Sequence, residues 1–287
     1  MFLHSLRNIF QNISRYSPKP YKLCATALLP LTFMGCDKGP NVASICQEFP
    51  SVCQQLSEDN WCRVERREVL MDYHRLQTSN NEDFQYYLLL ALEDYAKCMD
   101  KASLIEHKKF KEKKTNRINN AIQAKAMIKD IAEKTAESDN PLLLYFHWSR
   151  FNDKESLAEL LALEGSSAVE NPESQFNLAT YYIKRDLDKT QDLLFHALEL
   201  YKVQDEINVE IFKSLTTLFL DQEQYKQAYV WLKILALYKP DDSALNEQTL
   251  ELYKRKFNLN TEFLDRVANS TLDKITQGKF VSPNAES

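Results

Sequence analysis

Apolar and polar positions are arranged in two ways along this chain. Near the start they are segregated. The first 22 residues carry Arg7, Arg15, Lys19 and Lys22 and no acid, and Leu23 to Gly35 then runs without a charge. A basic start, a short apolar run and a small residue before a polar break describe a secretory signal. The run falls short of the roughly 20 apolar residues that a membrane-spanning helix needs, and Pro30 lies within it. Beyond it, apolar positions recur with helical period. From about Asn60 to Gln77 they include Cys62, Val69 and Leu76, and from about Glu82 to Ala102 they include Phe84, Leu88, Ala91, Tyr95 and Cys98. The short "TSNN" between these segments predicts an antiparallel helical hairpin. Ile118, Ile122, Ile128 and Ile131 mark a further stripe in the segment from Glu106 to Lys134.

Glycine usage changes this from a local reading to a global one. The chain holds four glycines, and between residue 40 and the C-terminal tail only Gly165 is left. Phosphate-cradling loops and tight β-hairpins depend on glycine for positive φ or close backbone approach. The predicted fold class is therefore all-α. Asn140-Pro141 and Asn171-Pro172 read as helix starts, each with a capping side chain before a proline at the first helical position, and Asp241 or Asp242 offers a similar cap after Pro240.

The second half repeats. "NPESQFNLATYYIKRDLDKTQDLLFHALELYK" (171–202) aligns without a gap on "NVEIFKSLTTLFLDQEQYKQAYVWLKILALYK" (208–239) at an offset of 37 residues, placing Leu178 on Leu215, Thr180 on Thr217 and Leu198 on Leu235. A fixed period with two helices per unit is the signature of a helical solenoid. The second unit resembles a tetratricopeptide repeat, with Phe212, Leu215, Phe219, Tyr225, Ala228, Leu232 and Pro240 on that pattern; Thr216 and Leu235 depart from it. In the first unit Leu178, Ala179, Tyr182 and Phe195 fit, and Gln191 does not. The resemblance implies helical hairpins followed by a tetratricopeptide-like α-solenoid. It also implies a concave groove, lined by Phe176, Thr180 and Lys184 from one unit and Lys213, Thr217 and Asp221 from the next. The lysine–asparagine clamp with which some such repeats hold a free C-terminus is not matched, so the implied occupant is a helix or loop of a protein partner.

"FMGC" resembles the lipobox of bacterial lipoproteins, which makes Cys36 the expected lipidation site and mature N-terminus. The alternatives are a signal cut nearby, with Cys36 an ordinary thiol, or an uncleaved anchor. Asp37 resembles an inner-membrane retention signal, which favours the periplasmic face of the inner membrane over the outer. An exported chain reaches an oxidising compartment, where Cys46, Cys53, Cys62 and Cys98 allow two disulfides in three connectivities. In an antiparallel hairpin facing residues have nearly constant position sums. That register pairs Cys62 with Cys98 and leaves Cys46 with Cys53, Pro50 breaking any helix between them.

These boundaries divide the chain into a signal (1–35), a tether (36–44), a disulfide-stapled helical region (45–106), a basic connecting helix (107–139), the repeats (140–277) and a disordered tail (278–287). Removing the four basic residues of the signal leaves 32 basic against 41 acidic residues, a net charge of −9. That balance argues against nucleic acid, or anionic lipid, as the main partner. The segment from Glu106 to Lys134 runs the other way, with nine basic residues and four acids, and reads as a solvated helix face more readily than as a patch for phospholipid or an acidic partner. His74, His107, His147 and His196 stand apart without metal-ligand spacing, and no GxSxG, HExxH or P-loop occurs. No metal, cofactor or catalysis is expected.

Taken whole, the chain resembles an uncharacterised family of predicted Gram-negative lipoproteins. The expected role is a lipid-anchored scaffold binding another envelope protein, with no nucleic acid and no small-molecule cofactor. A cell-wall-acting hydrolase and a periplasmic chaperone or carrier for apolar cargo are the rivals.

Overall fold

The computed structural model describes residues 39–106 and 111–283. Residues 1–38, with the expected signal, Cys36 and the first three residues of the expected tether, lie outside the described residues, as does His107. Among the described residues there are thirteen α-helices, two single 3₁₀ turns and no strand. α1 (Val42–Glu48) and α2 (Pro50–Gln55) are short and meet at Phe49. Pro50 is the reason: it lacks an N–H to continue α1 and suits the first turn of α2. The Cys46–Cys53 disulfide, with Cα atoms 5.6 Å apart, closes this elbow.

α3 (Arg63–Thr78) and α4 (Asp83–Ser103) form the antiparallel hairpin, stapled at its open end by Cys62–Cys98 with Cα atoms 5.9 Å apart. α4 is the spine of this half. The sequence stripe placed one buried face on it, but Tyr86, Leu89, Leu92, Ala96 and Met99 are buried as well. The wider face follows from its neighbours: α4 packs on α3, on α5 (Lys111–Lys134) and on α6 (Pro141–Phe151).

α5 corrects two expectations. It is no connector, for it shares with α4 the most extensive helix–helix contact in the molecule. Its isoleucine stripe holds over only half its length: Ile128 and Ile131 pack against the core, whereas Ile118 and Ile122 are exposed at 41% and 56% and Ala121, Ala124, Arg117 and Asn120 are buried in their stead. Small alanines let the two backbones approach, and the polar pair finds its partners in the loop before α3 and at the end of α4. Arg117 Nε and a terminal nitrogen donate to Asp59 at 2.8 and 3.2 Å, and its other terminal nitrogen donates to the Ala102 carbonyl at 2.7 Å. Asn120 accepts from the Ser57 backbone N–H at 3.1 Å and donates to the Ser57 carbonyl, also at 3.1 Å.

The chain continues through α7 (Lys154–Ala162), α8 (Pro172–Tyr182), α9 (Leu187–Glu199), α10 (Val209–Asp221), α11 (Tyr225–Tyr238), α12 (Glu247–Phe257) and α13 (Glu262–Thr276). α8 packs on α9 and α10 on α11, each pair matching one unit of the 37-residue alignment. α9 joins α10, and α13 returns onto α11. Phe195, Phe212, Phe219 and Trp231 form the aromatic centre of this core. From Pro40 onward the chain is one compact unit, so the divisions expected at residues 106 and 139 are not breaks in packing. The tail is a further correction for its first residues. Phe280 is 8% exposed against Phe195 and Trp231, and the Ser282 N–H donates to Glu199. Gly278, at φ +62°, makes the turn; a Cβ there would lie 3.1 Å from the Tyr201 carbonyl oxygen. No described helix is long and apolar enough to cross a membrane.

Candidate functional site

The starts of α4, α6, α8 and α10 line one concave region, and their caps hold it together. Asn140 accepts from the N–H groups of Leu142 and Leu143 at 2.9 and 3.3 Å, and its own amide donates to Asp83 at 2.7 Å. Asn208 repeats the device: it accepts from Glu210 N–H at 3.0 Å and donates to Glu173, also at 3.0 Å. Asn171 caps α8 by accepting from Ser174 N–H at 2.8 Å. Asp242, expected to cap a helix after Pro240, caps only the 3₁₀ turn Ser243–Leu245, and Asn246 caps α12.

Two recesses of about 630 and 620 Å³ open between these helix starts and meet at Asp83 and Asn171. The first carries Glu82, Asp83, Asp139 and Glu159, and the second adds Glu173, Asp205 and Glu206; Lys239 is the one basic side chain in either lining. Helix N-termini account for part of this charge, since Asp83 and Glu173 sit in first turns where the macrodipole favours an anion. The other five are exposed and leave the mouth strongly negative.

The floor is a polar network in a tyrosine-rich setting. Tyr86 is 2% exposed, and its hydroxyl donates to Glu173 at 3.3 Å and accepts from the Asn177 amide, also at 3.3 Å. Burial pushes the Glu173 carboxyl up, opposed by its bonds to Asn208 and Tyr86. Burial, with help from the charges of Glu173 and Asp83, pushes the Tyr87 hydroxyl up to about 12, so this half-buried ring stays protonated and neutral. Tyr201 and Tyr238 accept from the backbone N–H groups of Asn208 and Ile207, both at 2.9 Å, and fix the loop before α10. Ser174 Oγ, buried in the first recess, has no hydrogen-bond partner among the described residues. It therefore has no base upon it, and both Glu173 oxygens are engaged. The arrangement suits holding a cation better than general acid–base chemistry.

None of the six expected groove residues lines either recess. Phe176 is half-buried against the aromatic core, and Thr180 donates to the Tyr145 hydroxyl at 3.0 Å. Lys184, Lys213, Thr217 and Asp221 are exposed; Lys213 pairs with Glu210 at 2.6 Å, and Thr217 donates to its own helix. His147 is buried and bonded to Thr135 at 3.0 Å, while His196 lies between Glu170 and Glu199 at 2.9 and 3.1 Å. Cys62, Glu65 and Cys98 come within 4.8 Å of one another, but the disulfide leaves no thiolate there for a metal.

A family model described as a protein of unknown function, DUF2989, matches residues 33–233, more than half of the chain. The chain belongs to the DUF2989 family. The DUF2989 match takes in Cys36, the disulfide-stapled helices, both recesses apart from Lys239, and the repeats into α11; it stops short of α12 and α13. No curated protein and no solved structure matches the chain.

Proposed function

We propose that the protein is a lipid-anchored scaffold on the periplasmic face of a Gram-negative membrane, inner rather than outer, which holds a cationic segment of another envelope protein in the acidic cleft. The signal-like start and "FMGC" motif support the anchor. The sequential packing of helix pairs at the period of the alignment supports a tetratricopeptide-like α-solenoid. The observation that carries the choice of partner chemistry is seven carboxylates facing one lysine across two adjoining recesses. Charge complementarity of this kind selects a partner and its orientation. A free carboxylate tail or nucleic acid would be repelled, and an apolar cargo would meet a charged rim.

The test compares a Lys/Arg-rich peptide with its Asp/Glu counterpart for binding to the full chain at two salt concentrations. The cationic peptide alone binds. Its affinity falls about tenfold in the Asp205→Lys, Glu206→Lys variant and weakens with salt. Equal binding of the two peptides, or indifference to the charge reversal, would remove the cleft from the account.

A further inference from the structure

One end of the disulfide-stapled bundle combines exposed apolar side chains with a surplus of cations. α3 begins there, α4 ends there and α5 begins there, and the Cys62–Cys98 and Arg117–Asp59 links hold the three together. Large apolar side chains stand out from it: Trp61 is 63% exposed, Val64 61% and Leu104 79%. Exposed cations surround them, including Arg63, Arg67, Lys97, Lys101 and Lys114. Across residues 58–67, 97–106 and 111–117 there are nine basic and six acidic residues, in a chain whose balance is otherwise acidic. Glu58, Glu65, Glu106 and Glu112 temper the patch without reversing it.

The described chain also starts here. Val42 lines a cavity of about 470 Å³ together with Asp59, Arg63, Arg66 and Arg67. Cys36 lies six positions before Val42, a stretch that fully extended spans about 20 Å. A lipid on Cys36 therefore cannot let this end stray far from a bilayer.

We infer that this end, with Trp61, Val64 and Leu104 inserted among headgroups and the arginines and lysines on phosphates, rests on an anionic phospholipid surface. Tryptophan beside apolar and cationic side chains is the chemistry of the membrane interface. The inference builds on the proposed Cys36 anchor and adds an orientation to it. α4 has 21 residues, so the acidic cleft at its first turn stands about 30 Å further out, facing away from the repelling lipid charge.

The test joins the compact chain from Cys36 onward to a maleimide phospholipid through its one unpaired thiol. The product is seated in vesicles of phosphatidylethanolamine and phosphatidylglycerol that contain a phospholipid spin-labelled near the headgroup. Of the three tryptophans, Trp148 is half-buried and Trp231 is 5% exposed, so quenching reports Trp61. Quenching is expected in the native sequence and lost in Trp61→Ser. It falls at least about threefold in Lys101→Glu, Lys114→Glu and on purely zwitterionic vesicles. Quenching that survives Trp61→Ser, or equals that on zwitterionic vesicles, overturns the inference. So does a Trp61 emission shift that appears with protein concentration alone, which assigns the face to a second copy. Because the lipid is attached chemically, a Cys36 without acyl chains in protein from cells refutes the anchor and leaves this result to stand or fall separately.

Discussion

Asp59→Ala is the perturbation whose cost the structure fixes most tightly. Asp59 lies in the loop before α3, and its side chain is 11% exposed against an Arg117 that is 5% exposed. Both carboxylate oxygens accept from Arg117, and one also accepts from Trp61 N–H at 2.8 Å. Truncation takes the Asp59 carboxylate away from a buried guanidinium that also donates to the Ala102 carbonyl at 2.7 Å. Breaking a buried pair by removing one partner costs about 3–5 kcal/mol, whereas replacing both partners with apolar groups costs far less. Asp59→Ala should therefore lose about 3–4 kcal/mol in urea unfolding by linear extrapolation, and Asp59→Ala combined with Arg117→Met should recover a good part of it. pH supplies a second reading. Burial raises the Asp59 carboxyl, but the Arg117 bond, the Trp61 N–H and the charge of Arg117 outweigh it, and the net direction is down. A lowered carboxyl contributes stability that is complete above its unfolded value of about 4 and is lost as pH falls through the folded value. That acid limb should be missing from Asp59→Ala. Single losses below about 1 kcal/mol that simply add in the double variant would refute the claim that this pair locks α5 and the loop to α4.

Three further outcomes follow from other parts of the fold. Replacing Cys62 and Cys98 together by Ala frees a loop with a sequence separation of 36; the chain-entropy relation gives a loss of about 4 kcal/mol, against about 2 for Cys46 and Cys53, read from thermal unfolding of each double variant. Phe280→Ala should cost about 3 kcal/mol and speed hydrogen exchange in α11 and α13, where a disordered tail would show no effect. Burial lowers the His196 imidazole, yet its bonds to Glu199 and Glu170 more than offset this, and its net shift is upward. The stability it adds is complete below the unfolded value of about 6.5 and is lost as pH rises through the folded one. NMR titration should place His196 above 6.5, and lower in Glu170→Gln.

The hairpin and the helix starts were legible because they are local. A short turn sets the register of α3 on α4, and Asn-Pro states its own geometry. The first half of α5 was misread because a hydrophobic stripe weighs large side chains. There the buried face is made by Ala121 and Ala124, which are small, and by Arg117 and Asn120, which are polar but partnered, while Ile128 and Ile131 further along pack as the stripe implies. Phe280 was hidden among polar tail residues and finds its place only in a core built from α9 and α11. The cleft left no motif at all, for its acids run from Glu82 to Glu206 and meet only where four helices begin together. The one hint was the recurrence of asparagine at those starts, at positions 140, 171 and 208.

A photo-crosslinking residue placed at Tyr87 within the cleft, and separately at Thr217 on the exposed face of α10, tests the scaffold account most directly in intact cells. The account predicts one discrete adduct from Tyr87, mapping to a Lys/Arg-rich segment of an envelope protein, and its loss in Asp205→Lys, Glu206→Lys. An adduct from Thr217 alone, or one from Tyr87 that persists through the charge reversal, would contradict it.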